Sequence, residues 1–138
     1  MDNVTVSGSI TSTPSDEWDE SVPNYIGGIV GSNRGTVTSC DFQGFVVGST
    51  AGGIAGANYG TVSNSHKLVG VVSNGGSTLQ STGCVIGIIL PTNGNYNDVV
   101  VSGNTFRRNN ADEPTFGIAK DGRLPTPGPS NNGTAEVF

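Results

Sequence analysis

The sequence predicts an all-β protein, a parallel β-solenoid (β-helix) of about four coils with irregular flanking loops. Three observations predict it. Residues 27–37, GGIVGSNRGTV, return at 52–62 as GGIAGANYGTV, an offset of 25 with eight of eleven positions identical. No window carries an apolar stripe at helical spacing, and 22 glycines in 138 residues recur too often for helix interiors. What recurs instead are runs of three to five β-formers, such as Gly-Thr-Val-Thr and Gly-Phe-Val-Val, bounded by Gly, Asn or Ser.

The units follow in chain order. Residues 1–26 form a diverged first coil, 27–51 and 52–76 are the clear repeats, and 83–110 is a diverged last coil. A unit of 25 residues, read as three short strands and their corners, cannot bury an apolar face alone, but stacked units pair every backbone group with the coil above and below. Identical residues then lie over one another. Ile29 over Ile54 and Val37 over Val62 build the core, while Asn33 over Asn58 forms an amide ladder. Gly27, Gly31 and Gly35 are expected to give positive φ or close backbone approach, and Gly28, Gly52, Gly53, Gly56 and Gly60 are the other structural glycines of the repeat. The same offset places Val46 and Val47 over Val71 and Val72. In the third unit GCVIG at 83–87 puts Cys84 where Gly28 was, 31 residues after the second copy, so that turn holds an insertion. Val4–Gly8 also matches Val99–Gly103, which would make them equivalent positions of the outer coils.

The flanks break the pattern. Residues 12–24 form an acidic excursion between two prolines that contains Trp18, and 107–123 hold four of the six basic residues. The solenoid domain is therefore bounded at 1–123. Residues 124–138 read as a Pro/Gly-rich tail whose end, Ala135–Phe138, is either loose or an added strand. Stacked sheets leave open strand edges at both ends, so self-association through the ends or the C-terminal strand is an expected mode of partnership.

Composition narrows the function. Six basic residues against eleven acidic ones give a net charge of −5, which argues against nucleic acid as a partner. No apolar run approaches the roughly 18 residues of a membrane span. The start, MDNVTVSG, lacks the basic and apolar regions of an export signal, so none is expected in the chain as given. Cys40 and Cys84 fall in different phases of the coil and are read as two buried thiols ahead of a disulfide.

Gly28-Ile29-Val30-Gly31 followed by Asn33-Arg34-Gly35-Thr36-Val37, repeated as Gly53-Ile54-Ala55-Gly56 and Asn58-Tyr59-Gly60-Thr61-Val62, resembles the GLUG-motif repeats of bacterial secreted and surface proteins. The match covers roughly residues 24–75, and the third copy departs from it at Cys84. The resemblance implies a surface-exposed parallel β-solenoid in an adhesin-like or otherwise exported protein, extracellular or on the cell surface. It carries no catalytic residues.

The candidate ligand-binding residues are Asp41, His66, Arg34 and Tyr59. Asp41 and His66 are 25 apart and share a position on neighbouring coils, read as a solvent-facing pair with a general acid/base dyad as the alternative. Arg34 falls over Tyr59, giving either cation–π packing or, with Trp18, Tyr25 and Tyr96, a sugar-stacking surface. Asp16 and Asp19 in the acidic excursion, and Asp98 beside Asn93, Asn95 and Asn97, are the candidate calcium ligands. None fits a standard calcium loop, so the expectation is solvated loops and no cofactor. With no catalytic constellation, the expected function is a non-enzymatic structural or adhesive repeat module of an exported or cell-surface protein, which either assembles end to end into fibres or meets a host or cell-surface glycan or protein. The alternatives are a polysaccharide-binding or polysaccharide-processing β-helix and a virion or tail-fibre component.

Overall fold

The computed structural model describes residues 1–11, 24–74 and 81–137. Among them every regular element is a strand and none is a helix. After β1 (Thr5–Thr11), residues 24–47 hold β2 (Tyr25–Gly27), β3 (Val30–Asn33), β4 (Thr36–Thr38) and β5 (Asp41–Val47). The next unit repeats this order as β6 (Thr50–Gly52), β7 (Ala55–Asn58), β8 (Thr61–Ser63) and β9 (His66–Ser73). A third set follows as β10 (Ser81–Gly83), β11 (Ile86–Ile89), β12 (Val100–Ser102) and β13 (Asn104–Phe106). The chain closes with β14 (Ile118–Asp121), β15 (Gly128–Ser130) and β16 (Thr134–Glu136). Each unit thus has four strands, not three, because the Gly27-Gly28 and Gly52-Gly53 corners separate β2 from β3 and β6 from β7.

The strands assemble into four sheets. Sheet 1 has the order β10-β6-β2 and sheet 3 the order β12-β8-β4, whereas sheet 2 runs β15-β14-β11-β7-β3 and sheet 4 runs β1-β5-β9-β13-β16. Pairing between these strands is parallel except where β15 returns antiparallel on β14. Residues 25 apart meet directly in sheets 1 to 3: Ile26 with Ala51, Asn33 with Asn58, Val37 with Val62. The buried interior follows from this register. Val37, Val62 and Val101 form one apolar stack; Ile54 and Val85 lie fully buried beside it, with Ile29 half-buried at the end of their row. Each such aliphatic side chain contributes about 1.5–3 kcal/mol by leaving water.

Sheet 4 departs from the simple offset. Phe42 pairs with Lys67 but Gly44 pairs with Gly70, so β9 carries one extra residue as a bulge opposite Gln43. Beyond it Val46 meets Val72, Phe45 meets Val71 and Val47 meets Ser73, which corrects the expected placement of Val46 and Val47 over Val71 and Val72. The reason lies in the glycines. Gly8, Gly44 and Gly70 form one row at φ of 143°, 142° and 127°, and a Cβ on Gly44 or Gly70 would overlap the carbonyl oxygen of the glycine before it in the row. The bulge keeps these three glycines in line.

The corner leading into sheet 4 is the most regular feature of the stack. Asn3, Ser39, Asn64, Gly103 and Gly133 occupy it in successive layers, all with positive φ between 49° and 87°. Asn and Gly tolerate this left-handed conformation, which turns the chain sharply between sheets. By this row Val4 falls with Cys40, Ser65, Asn104 and Thr134. Val4–Gly8 and Val99–Gly103 are therefore not equivalent: the first leads into β1 of sheet 4, the second contains β12 of sheet 3. An alternation of Val with small polar residues suits any strand and does not fix which sheet receives it. Gly27 and Gly31 are close-approach positions as expected, but Gly35 has neither positive φ nor a neighbour where its Cβ would be.

Within residues 124–137, Gly128–Ser130 and Thr134–Glu136 belong to the sheets. β15 lies against β14, and β16 pairs with β13 through Asn104–Thr134, Thr105–Ala135 and Phe106–Glu136. Arg108 Nε and Glu136 Oε1, 2.6 Å apart, fasten β16, and Asp121 holds the turn before β15 through Arg123 and Ser130 Oγ.

Candidate functional site

The outward face of sheet 4 carries Asp41 and His66, two of the residues singled out in the sequence. Side chains alternate along β5, so with Phe42 and Val46 buried, Asp41, Gln43 and Phe45 point outward. Thr5, Asp41, His66 and Thr105 form one row across four strands. His66 Nδ1 lies 2.7 Å from Thr105 Oγ1, and no hydrogen bond or ion pair joins the ring to Asp41. The imidazole therefore faces the hydroxyl on one side strand and leaves the carboxylate on the other. A hydroxyl–imidazole contact is half of a nucleophile–base arrangement.

Beside this row the glycines open the surface. Gly44 and Gly70 floor a shallow groove of about 400 Å³ edged by Ser7, Gln43, Phe45 and Val69. Phe45 is 53% exposed and Val69 58%, a large share for apolar side chains. A flat exposed ring beside the Gln43 amide and the Ser7 hydroxyl can stack on the apolar face of a sugar while these neighbours bond the hydroxyl groups.

Arg34 and Tyr59 occupy the corner between sheets 2 and 3, where the guanidinium carbon sits 3.9 Å from the centre of the Tyr59 ring. Buried amides beneath position them. Asn33 Nδ2 donates to Asn58 Oδ1 at 2.9 Å and to Thr61 O at 2.9 Å, and each asparagine Oδ1 accepts the backbone N–H two residues on, at Gly35 and Gly60. Tyr25 joins the group: burial and the neighbouring Tyr59 push its hydroxyl pKa up, with Arg34 opposing. The ladder ends at Ile89, which takes the next place above Asn58.

The candidate calcium ligands do not converge. Asp98 is exposed, Asp16 and Asp19 lie outside the described residues with Trp18, and among the described residues no three His, Cys, Asp or Glu side chains come together. Among the same residues no helix is long and apolar enough to cross a membrane.

A buried polar cluster was missed by the sequence reading. Lys67 is 1% exposed and Glu113 3%, with Nζ 2.7 Å from Oε1. Lys67 Nζ also donates to Gly70 O and Arg107 O, and Glu113 accepts from the backbone N–H groups of Val72, Asn109 and Asn110. Every polar atom of the pair is engaged, the condition for tolerating buried charge. Cys84 lies close by, its Sγ 3.2 Å from Pro114 O, and burial together with the Glu113 carboxylate pushes its thiol pKa up to about 12. Cys40 is likewise free and buried. One signal for the cluster was present in the sequence: Lys67 stands 25 residues after Phe42, at a core position of the repeat.

The chain matches no family model, no curated protein and no solved structure.

Proposed function

We propose that this chain is a short parallel β-solenoid serving as a non-enzymatic structural or adhesive module of an exported or cell-surface protein, in keeping with its resemblance to GLUG-motif repeats. The observation that carries the reading is the unit-on-unit register, in which residues 25 apart meet in three separate sheets. Such a stack supplies a stiff, short rod with an outward face for display. Self-assembly into fibres through Ala135–Phe138 is the weaker version, because β16 is paired within its own chain and β15 covers the edge of β14 with an antiparallel return. The test is mass by light scattering across a concentration series. A constant 14.0 kDa species fits a capped display module. Growth into rods with concentration would overturn capping and restore the fibre version.

A second reading, binding of an extracellular polysaccharide, is favoured by the groove beside Phe45. Retention on immobilised polysaccharides that is lost in Phe45→Ala and kept in Arg34→Ala would support it, and equal retention of both variants would remove it.

A further inference from the structure

β13 pairs with only the first two residues of β9, and the following segment, 107–113, runs along the rest of that strand. Side chains there do what a strand backbone would do. Asn109 Nδ2 donates to Leu68 O at 3.3 Å and to Gly70 O at 2.9 Å, while Glu113 Oε1 accepts from Val72 N at 2.9 Å. Lys67 Nζ donates to the same Gly70 O at 2.8 Å and to Arg107 O at 2.6 Å, and Asn109 Nδ2 reaches Arg107 O at 3.3 Å. The amine of Lys67 and the amide nitrogen of Asn109 thus share two carbonyl oxygens and sit in one cradle. Glu113 spans both partners, with Oε1 2.7 Å from Lys67 Nζ and Oε2 2.7 Å from the backbone N of Asn109.

We infer that Lys67 and Asn109 join in an intramolecular isopeptide bond, with Glu113 as the proton carrier. Lys67 begins as a buried ammonium. Passing one proton across the 2.7 Å contact to Glu113 turns the pair into an amine and a carboxylic acid. The freed amine is a nucleophile. It attacks Cγ of Asn109, the new Nζ–Cγ bond forms, and the Cγ–Nδ2 bond breaks. The departing nitrogen takes the second Nζ proton and then the one held by Glu113, leaving as ammonium and restoring the carboxylate. The step consumes no oxidant and no cofactor. Burial and exposure are divided as it requires: the Lys67 side chain is fully enclosed, whereas Asn109 is exposed and gives the released ammonium a path to water. Holding both nitrogens on the same two carbonyl oxygens keeps the amine beside the amide, the proximity that an uncatalysed amide exchange lacks. The product would tie β9 covalently to the segment that completes its edge, hardening a surface rod against unfolding.

Intact-mass and tandem mass spectrometry of the full chain test this. The expected result is a protein lighter by one ammonia molecule, yielding on digestion a branched peptide that joins Lys67 to Asn109. Asn109→Ala and Glu113→Gln, both checked for folding by circular dichroism, stay at full mass. Wild-type protein at full mass overturns the proposal. So does loss of ammonia without the branched peptide, the signature of a succinimide at Asn109-Asn110.

Discussion

Replacing Glu113 with Ala removes the one group that neutralises Lys67. The carboxylate accepts from Lys67 Nζ, from Val72 N and from Asn109 N, all within 2.9 Å, and both side chains of the ion pair are fully enclosed. Breaking a buried pair from one side costs about 3–5 kcal/mol, because the remaining charge stays in a dry site. A chain of 138 residues has a total stability on the order of 7–20 kcal/mol. The substitution therefore removes a large part of it. Urea unfolding, with a slope of about 1–3 kcal/mol per molar, should show the midpoint falling by at least about 1 M at unchanged slope. Measuring in the Asn109→Ala background keeps any covalent link out of the comparison. Adding Lys67→Met to Glu113→Ala should recover part of the loss, since an apolar chain of similar length then occupies a row already formed by Phe42 and Phe106. A loss under about 1 kcal/mol would refute the reasoning, because it would mean that water reaches the pair.

Three further outcomes follow from the geometry. Cys40 and Cys84 should resist a thiol-specific reagent at pH 8 in the native protein and react fully in denaturant. Cys84, its pKa raised in the folded state to about 12, contributes stability that is complete below the ordinary thiol range and is lost as pH climbs toward that value, so an alkaline unfolding limb should shrink in Cys84→Ala. Gly44→Ala should destabilise by roughly 1–3 kcal/mol, since it puts Cβ on the Gly8 carbonyl at a φ of 142°, whereas Gly35→Ala, with open space and ordinary φ, should stay within about 0.5 kcal/mol of wild type by thermal unfolding.

Identity at a fixed offset made part of this architecture readable in advance. Asn33 with Asn58 and Val37 with Val62 are paired as the repeat places them, because an amide stack and an aliphatic stack both require like over like. The bulge in β9 was hidden, since Val-Val recurs at 46–47 and 71–72 and an offset of 25 looks correct on either side of one inserted residue. The left-handed corner was legible only once Asn3, Ser39, Asn64, Gly103 and Gly133 were aligned by position rather than by residue type. At the candidate site, Asp41 and His66 share the expected row, but the partner of the ring is Thr105, 39 residues onward and past the insertion that breaks the repeat. Lys67 and Glu113 are 46 apart with no local motif linking them, so only the misplaced charge at a core position gave notice of the pair. The strands of the Pro/Gly-rich end were hidden for a related reason: β15 and β16 have three residues each and take their order from the edges they meet.

The register itself can be tested with one measurement. Thr36 pairs with Thr61, and its neighbour two places on is Thr38 opposite Ser63. Partners on adjacent parallel strands have Cα atoms about 5 Å apart, within disulfide range, and positions offset by two do not. The double variant Thr36→Cys with Thr61→Cys should close a disulfide readily under mild oxidation, and Thr36→Cys with Ser63→Cys should not. Rapid closure of the second pair in place of the first would contradict the stacked 25-residue register on which the account rests.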